Sequence, residues 1–525
     1  MTLLSVADFN KRINSMIRIT VALLAMFVAS TAQALPKIQF SKLDITQNKR
    51  LIVFINDTNS LSGLAAQVNA QTNGQLKAAI DNAAFKSKFG NTQTFYGLAP
   101  FAQVTVVGTG SGSLTQSQLQ DLGGYAAAST PANSKHQFTV MAESLNTSVS
   151  VPAAWVAMGA GLRDYHFDKY KAAAAQSQPR DFVFQTANYN AASNKYHTDL
   201  KYMVQGVHLT RDMASEPGKS LYPQSFVNRV KDAFDDIDNV DIDVLKVRDM
   251  KKHQMGAILG VGQGSIHEPR MLVIQYRGGA KNEAPIALVG KGITFDTGGI
   301  SLKKNSGMWQ MKSDLSGAAA VAGTMLAVAS RGEKVNLVGV MPLAENMPAE
   351  DAIRPGDVLK TMQGTTIEII STDAEGRLLL ADAVRYTQDE FKPRMLVNIA
   401  TLTGSAARAL SDEYAALVTR DWSLAQDMMK VGETSGEAVW PLPLHPNFFK
   451  QIKSDIADIK NSGAGNPGAS IGAAVVATFV DKNVPWVHLD IAGVDWLNKP
   501  IAVAPRGSQG WGVRFLDQLV RENSN

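Results

Sequence analysis

The second part of the chain alternates short apolar runs with segments of helical periodicity. From about residue 207 onward, six apolar runs predict β-strands, at 271–275, 284–289, 335–340, 366–370, 395–399 and 487–491. Helical patterns lie between several of these runs. Such alternation predicts a mostly parallel sheet that is flanked by helices.

The first part of the chain shows the same alternation on a smaller scale. Strand-like runs lie at 51–55, 104–107 and 138–141, and helical stretches at 114–128 and 152–162. The chain has 525 residues, more than a single hydrophobic core usually supports. The fold class is therefore α/β, with a smaller N-terminal α/β domain followed by a larger domain that has a mostly parallel sheet flanked by helices. We place these domains at 35–187 and 207–525, with a linker at 188–206.

The N-terminus has the pattern of a secretory signal peptide. Basic residues precede an uncharged, mainly apolar run at 19–29, and Ala32-Gln33-Ala34 follows as a cleavage site. The run is too short to span a bilayer, which needs about 20 apolar residues. We expect residues 1–34 to be removed after Ala34, leaving a periplasmic or secreted protein without a membrane span. The alternative is a buried helix of the first domain.

Composition excludes some classes of function. The chain has no cysteine, so disulfides and thiol catalysis are excluded. The formal net charge is only +4, which is too little to predict nucleic-acid binding. We therefore do not expect nucleic acid as a partner.

Asp373, Glu375 and Arg377 lie two residues apart, between an apolar run and a helical one. Carboxylates on alternate residues of an extended segment point the same way, so both can reach one ion or a close pair. The guanidinium beside them can hold an anion. The alternative is that these charges only cap a helix and favour its dipole.

A second acidic cluster lies upstream. Asp296 falls where the predicted strand 284–289 is followed by a glycine-rich loop, and Asp314 directly precedes a helix of small residues. Together with the downstream pair this makes four carboxylates, which suit more than one divalent ion. None of the eight histidines lies in these clusters, which argues against single-zinc proteases and zinc fingers. For Lys291 and Lys303, near Asp296, the alternative is solvated surface charge.

Several strings in order along the chain resemble one known family. They are Val-Gly-Lys-Gly-Ile-Thr-Phe-Asp-Thr-Gly-Gly (289–299), Met-Lys-Ser-Asp (311–314), Glu-Asn-Met-Pro (345–348), Ser-Thr-Asp-Ala-Glu-Gly-Arg-Leu (371–378) and Ala-Thr-Leu-Thr-Gly (400–404). Further matches lie at 453–458 and 488–493. These strings resemble the leucyl aminopeptidases, also called cytosol aminopeptidases, and the likeness runs from about residue 207 to the C-terminus.

The resemblance implies a metal-binding set. Two divalent ions, Mn²⁺ or Zn²⁺, would be held by Lys291, Asp296, Asp314, Asp373 and Glu375. Asp296 and Glu375 would bridge both ions. Lys291 would have to bind as the neutral amine, with its pKa depressed by the adjacent dications.

The resemblance also assigns catalytic and substrate-binding residues. Lys303 would stay charged and stabilise the oxyanion of the tetrahedral intermediate. Arg377 would hold bicarbonate or a similar anion that shuttles a proton. The pocket for the first side chain would be lined by Met311, Thr401, Leu402 and Gly404.

The activity implied by the resemblance is that of a metal-dependent exopeptidase. It would release N-terminal amino acids from peptides, with leucine and other apolar residues preferred, when a metal-bridging hydroxide attacks the first peptide carbonyl. Most of the family is cytoplasmic, which is the alternative to export. A homohexamer is also implied.

Two other functions remain as alternatives, and the chain departs from the family pattern at three positions. A dinuclear phosphoesterase would use the same carboxylates on phosphate, and a non-catalytic scaffold or DNA-binding protein would not need them. Ser371, Ser411 and Ile471 depart from the family pattern. These departures put the side-chain preference in doubt, but not the reaction type.

Overall fold

The structure is a computed structural model that describes residues 35–46, 50–463 and 465–524. The predicted signal peptide, 1–34, lies outside the described residues. No helix in the described ranges is long and apolar enough to cross a membrane.

The first sheet has six strands in the order β1-β6-β5-β2-β4-β3. Neighbouring strands are parallel, except that β3 runs antiparallel to β4. The strands are β1 (Lys37–Ser41), β2 (Arg50–Ile55), β3 (Thr92–Tyr96), β4 (Gln103–Gly108), β5 (Gln137–Met141) and β6 (Asp181–Gln185).

Helices cover both faces of this sheet. Leu51 and Val53 of β2 face one apolar cluster, and Ile52 faces another, because successive side chains of a strand point to opposite faces. Burial on both faces explains why the central strands read as continuous apolar runs. The helices are α1 (Gly63–Gln71) and α2 (Gln75–Asn82) on the first cluster, and α3 (Gln116–Ala128) and α4 (Pro152–Arg163) on the second.

The predicted linker 188–206 is helical. It contains α5 (Tyr189–Lys195) and a π-helical turn (Tyr196–Leu200), and it runs directly into α6 (Lys201–Ser215). Helix α6 crosses α10 (Ser316–Ser330) so closely that a Cβ on Gly206 would lie 2.3 Å from the carbonyl oxygen of Gly323. The segment thus packs between the two sheets. The domain boundaries stay a prediction.

The second sheet has nine strands and forms the larger unit. Its order is β16-β15-β18-β14-β9-β11-β8-β7, and β10 pairs with β11. The central strands are parallel, whereas β7 and β8 on one side and β15 on the other introduce antiparallel pairs. The strands are β7 (Val240–Leu245), β8 (Arg270–Arg277), β9 (Ile286–Gly290), β10 (Gly292–Asp296), β11 (Asn336–Asn346), β14 (Met395–Ala400), β15 (Ala415–Thr419), β16 (Val439–Pro441) and β18 (Trp486–Asp490).

The remaining elements cover this sheet or extend from it. Short strands form two small sheets, from β12 (Val358–Lys360), β13 (Thr366–Glu368) and β17 (Ile459–Lys460), and from β19 (Trp496–Leu497) and β20 (Gly507–Ser508). The other helices are α7 (Pro223–Phe234), α8 (Val247–Lys252), α9 (Gly256–Gly262), α11 (Gly376–Phe391), α12 (Gly404–Leu410), α13 (Trp422–Ser435), α14 (Pro446–Gln451), α15 (Gly468–Ala477) and α16 (Val513–Glu522). Short 3₁₀ turns lie at Ala173–Ala175 and Met308–Ser313.

The predicted fold class is confirmed, and the fold brings several chain segments to one edge of the second sheet. Lys291 follows β9, Asp296 ends β10, and Thr401 follows β14. Asp314 precedes α10, and Glu375 precedes α11. In parallel sheets the carboxyl ends of strands form the usual ligand-binding edge.

A buried ion pair lets the stability of the N-terminal domain be tested. Arg180 Nε lies 2.6 Å from Asp164 Oδ1, and its Nη1 donates to the carbonyl of Ala127. Burial raises the pKa of Asp164, but hydrogen bonds from His166 and Arg180 outweigh it and hold the pKa below its usual value. We expect R180A to lower the free energy of unfolding at neutral pH by about 3–5 kcal/mol, because a buried carboxylate loses its partner. In the wild type, the contribution should fade as the pH falls through the lowered pKa.

Urea unfolding of purified variants measures this effect. The matched control is K37A, which removes an exposed pair 3.8 Å long with Asp181 and should change stability by less than about 1 kcal/mol. Equal effects of R180A and K37A would contradict the prediction.

Candidate metal centre

Lys291 lies at the middle of the predicted metal-binding set. Its Nζ lies 2.9 Å from Asp314 Oδ1 and 2.8 Å from Glu375 Oε1. It also donates to the carbonyl oxygen of Thr401 over 2.8 Å. Only 3% of the Lys291 side chain is exposed, so this ammonium is a buried counter-charge and not a solvated surface group.

Lys303 holds the other side of the set. Its Nζ lies 2.7 Å from Asp296 Oδ2 and also pairs with Asp373. Its side chain is 22% exposed, and that of Asp373 38%. The Lys303 ammonium is therefore partly open to the adjoining cavity.

The glycine-rich loop after Asp296 requires backbone conformations that favour glycine. Gly298 and Gly299 have φ of +87° and +65°. The amide of Gly298 donates to Asp296 Oδ1 over 2.8 Å. A Cβ on Gly299 would lie 2.8 Å from Asn346 Oδ1. These two glycines let the loop fold tightly around the Asp296 carboxylate.

Asn346 positions Asp296 from the other side. Its Nδ2 donates to Asp296 Oδ1 over 2.7 Å and to the carbonyl of Thr372 over 3.0 Å. Asn346 is 2% exposed and ends β11. Asn346 belongs to the Glu-Asn-Met-Pro string, but the sequence alone does not indicate that its side chain holds the Asp296 carboxylate.

The carboxylates fit a divalent cation. Asp296, Asp314 and Glu375 are buried and each offers an oxygen within 4.8 Å of the others. Within the described ranges, Asp314 Oδ2 and Glu375 Oε2 are buried without a hydrogen-bond partner. Buried carboxylate oxygens without a partner are costly. A hard cation would satisfy them.

The pKa values of the buried lysine and carboxylates in this cluster depend on one another. Burial raises the pKa of Asp314 well above its usual value, and the neighbouring carboxylates add to that effect despite Lys291. Burial lowers the pKa of Lys291, but Asp314 and Glu375 outweigh it, so the net shift is upward. The neutral amine implied for Lys291 therefore requires the added positive charge of bound cations.

A cavity of about 650 Å³ opens onto this cluster. Ten of the predicted site residues line it: Lys291, Asp296, Lys303, Met311, Asp314, Asp373, Glu375, Thr401, Leu402 and Gly404. The cavity thus joins the predicted metal set to the predicted side-chain pocket.

Arg377 is the predicted site residue that does not line this cavity. Its Nη1 donates to the carbonyl of Asn461 over 2.6 Å, and its Nε is buried without a partner among the described residues. Burial lowers the pKa of Arg377, although the charges of Glu375, Asp490 and Asp373 oppose the shift. The guanidinium packs against α15, where a Cβ on Gly472 would lie 3.4 Å from Arg377 Nε.

Two further buried carboxylates support the cavity wall. Asp495 lines the cavity and accepts a hydrogen bond from the Ser313 hydroxyl over 2.8 Å, and burial raises its pKa to about 7. Asp490 accepts from the amide of Leu402 over 3.0 Å and from the Thr403 hydroxyl over 2.7 Å. Asp490 lies in a string that the sequence analysis noted, whereas Asp495 follows that string without any pattern of its own.

Comparisons with known proteins agree with this geometry. Residues 208–517 match the model of the cytosol aminopeptidase family, catalytic domain, and residues 52–174 match its N-terminal domain. The chain belongs to the cytosol aminopeptidase family. It is therefore a metal-dependent aminopeptidase, a hydrolase that acts on peptides.

Relatives match over nearly their whole length. A probable cytosol aminopeptidase of Rickettsia bellii (strain RML369-C) is 40% identical over 499 residues, which cover 93% of this chain and 99% of the relative. One of Chelativorans sp. (strain BNC1) is 40% identical over 498 residues, with the same shares covered.

Solved structures show the same architecture. A mutant of tomato leucine aminopeptidase has a TM-score of 0.82 at 28% identity, covering 94% of this chain and 98% of that one. The bottromycin maturation enzyme BotP in complex with Mn has a TM-score of 0.80 at 29% identity, covering 91% and 100%. The two-domain aminopeptidase fold inferred from the sequence strings is confirmed.

The hydrogen bonds of Asn346 predict a role in metal affinity. We expect N346A to weaken metal binding about 10- to 100-fold, because Asp296 loses the donor that orients its carboxylate. Isothermal titration of the apoprotein with Mn²⁺ measures the change. N447A removes an exposed asparagine outside the cavity lining and should leave affinity unchanged. Wild-type affinity in N346A would show that Asn346 does not position a ligand.

Proposed function

We propose that this aminopeptidase releases leucine and other apolar residues from the N-termini of peptides with a pair of divalent ions. The observation that carries the proposal is the set of three buried carboxylates, Asp296, Asp314 and Glu375, which line a cavity. Among the described residues, Asp314 and Glu375 each keep one buried oxygen without a hydrogen-bond partner. Asp373 and Lys291 complete the proposed ligand set. Mn²⁺ or Zn²⁺ are the proposed ions, because both accept oxygen and amine ligands.

The proposed chemistry divides between the ions and the chain. When bound, two such ions make a water nucleophilic and polarise the carbonyl of the scissile bond. Lys303 supplies a fixed positive charge for the oxygen that becomes negative in the transition state. Its partly exposed Nζ, next to Asp296, is placed to reach a substrate in the cavity.

The cavity explains why we propose cleavage at chain ends. Asp296, Asp314 and Glu375 line the cavity and are buried, so we propose that a substrate reaches them with its free N-terminal amine. The first side chain would contact Met311, Thr401, Leu402 and Gly404. A pocket with apolar contacts discriminates among side chains by shape more than by charge.

Arg377 has a proposed role that is separate from metal binding. Its buried Nε lacks a partner among the described residues, and a guanidinium suits a small oxyanion such as bicarbonate. Arg377 would hold such an anion, which when bound could carry a proton between the attacking water and the leaving amine.

Assembly and location are proposed from the sequence alone. We propose a homohexamer, and export through a signal peptide that is cleaved after Ala34, with cytoplasmic retention as the alternative. The N-terminal sequence of the purified protein distinguishes the two locations, since export requires Leu35 as the first residue.

The function is tested with variants on leucine p-nitroanilide in the presence of Mn²⁺. We expect K303M to lower kcat about 10²- to 10³-fold, because a preorganised charge is lost from the transition state. E375A should have no measurable activity, because a carboxylate of the buried set is gone. EDTA should abolish wild-type activity, and Mn²⁺ should restore it.

The matched control is K430M, which removes a lysine that is 71% exposed and far from the cavity lining. It should keep wild-type kcat and KM. Full activity in K303M and E375A, or turnover of phosphate monoesters in place of anilides, would contradict the proposed function.

A further inference from the structure

The charged residues that line the cavity differ in whether they have an ion-pair partner. Four of its carboxylates share two ammonium groups: Asp296 and Asp373 pair with Lys303, and Asp314 and Glu375 pair with Lys291. The fifth, Asp495, accepts a hydrogen bond from the Ser313 hydroxyl. Two cations that line the same cavity, Lys304 and Arg408, have no ion-pair partner in the described part of the chain. Lys304 and Arg408 are therefore cations of the cavity lining that no described carboxylate holds in an ion pair.

Arg408 lies at the side-chain pocket. It is exposed on α12, one turn after Gly404, which lines the cavity and belongs to the proposed pocket. A Cβ on Gly404 would lie 3.3 Å from Arg408 Nη1. The guanidinium thus lies over the surface that the first side chain of a substrate would contact.

The absence of a side chain at Gly404 leaves this guanidinium open to the cavity. Its planar fork of N–H donors matches a carboxylate, and such charge-assisted pairs are stronger than neutral hydrogen bonds. A pocket lined only by Met311, Thr401 and Leu402 offers an acidic side chain no comparable partner.

We propose that Arg408 is a specificity-determining residue that lets this enzyme remove N-terminal glutamate and aspartate as well as apolar residues. This inference rests on the proposed function and extends its substrate class. Glutamate reaches further than aspartate and should gain more from a guanidinium at the edge of the pocket.

The experiment compares kcat/KM for glutamyl, glutaminyl and leucyl p-nitroanilides at low ionic strength. Glutamate and glutamine differ in charge but little in shape. The ratio of kcat/KM for the glutamyl substrate to kcat/KM for the glutaminyl substrate therefore isolates the contribution of charge. These substrates have no terminal carboxylate, so an effect cannot come from the far end of a peptide. We expect R408A to lower the glutamyl-to-glutaminyl ratio about 3- to 10-fold, as for a partly exposed ion pair. R408E should lower the ratio further, because repulsion replaces attraction.

Two variants serve as controls. R408K should have a glutamyl-to-glutaminyl ratio between those of the wild type and R408A, because lysine keeps the positive charge but lacks the planar N–H donors of the guanidinium. R248A removes an arginine that is 82% exposed and outside the cavity lining, and it should leave all three kcat/KM values unchanged.

The outcomes separate this inference from the proposed function. If the wild type hydrolyses none of the anilides, the proposed function itself fails. If leucyl anilide is hydrolysed but R408A and R408E keep the wild-type glutamyl-to-glutaminyl ratio, only the role of Arg408 is overturned. A loss confined to free dipeptides such as leucyl-glycine would show that Arg408 binds a terminal carboxylate, and would equally overturn it.

Discussion

The structure of this aminopeptidase depends on the crowding of like charges in one buried place. Asp296, Asp314 and Glu375 bring carboxylate oxygens within 4.8 Å of one another. Without positive charge between them, burial would force protonation of at least one carboxyl group. Lys291 and Lys303 supply part of that charge, at 2.7–2.9 Å from the carboxylates. Under the proposed function, bound cations would complete the balance at the oxygens of Asp314 and Glu375 that have no partner among the described residues.

The nine-stranded sheet makes this crowding possible. Charged residues come from the ends of β9 and β10 and from the starts of α10 and α11, which only the fold brings together. Neighbouring groups then fix each carboxylate: Asn346 holds Asp296, and the Thr401 hydroxyl donates to Asp314 Oδ1 over 2.7 Å. A loop that bends at two glycines of positive φ closes around Asp296. The packing of these rigid elements thus holds the carboxylates in place against their mutual electrostatic repulsion.

The sequence predicted most of the fold and of the candidate site, and the omissions have physical causes. Buried parallel strands such as β9 and β14 are continuous apolar runs, so they were predicted close to their observed ends. The edge strand β7 alternates apolar and acidic residues and was missed, although that alternation was a usable signal. The segment 188–206 was predicted only as the passage between the domains, whereas the structure shows it to be helical with buried apolar residues. Asn346, Asp495 and Arg408 were not predicted, because no local sequence pattern shows that the fold brings them to the cavity or its carboxylates.

The central claim is that the buried carboxylates hold a pair of cations between them. It is tested most directly by anomalous X-ray diffraction at the manganese absorption edge, from crystals of the protein loaded with Mn²⁺. The account predicts two anomalous peaks about 3.5–4 Å apart, both within coordination distance of Asp296 and Glu375, with Lys291 Nζ on one of them. A single peak, or peaks away from these carboxylates, would contradict it.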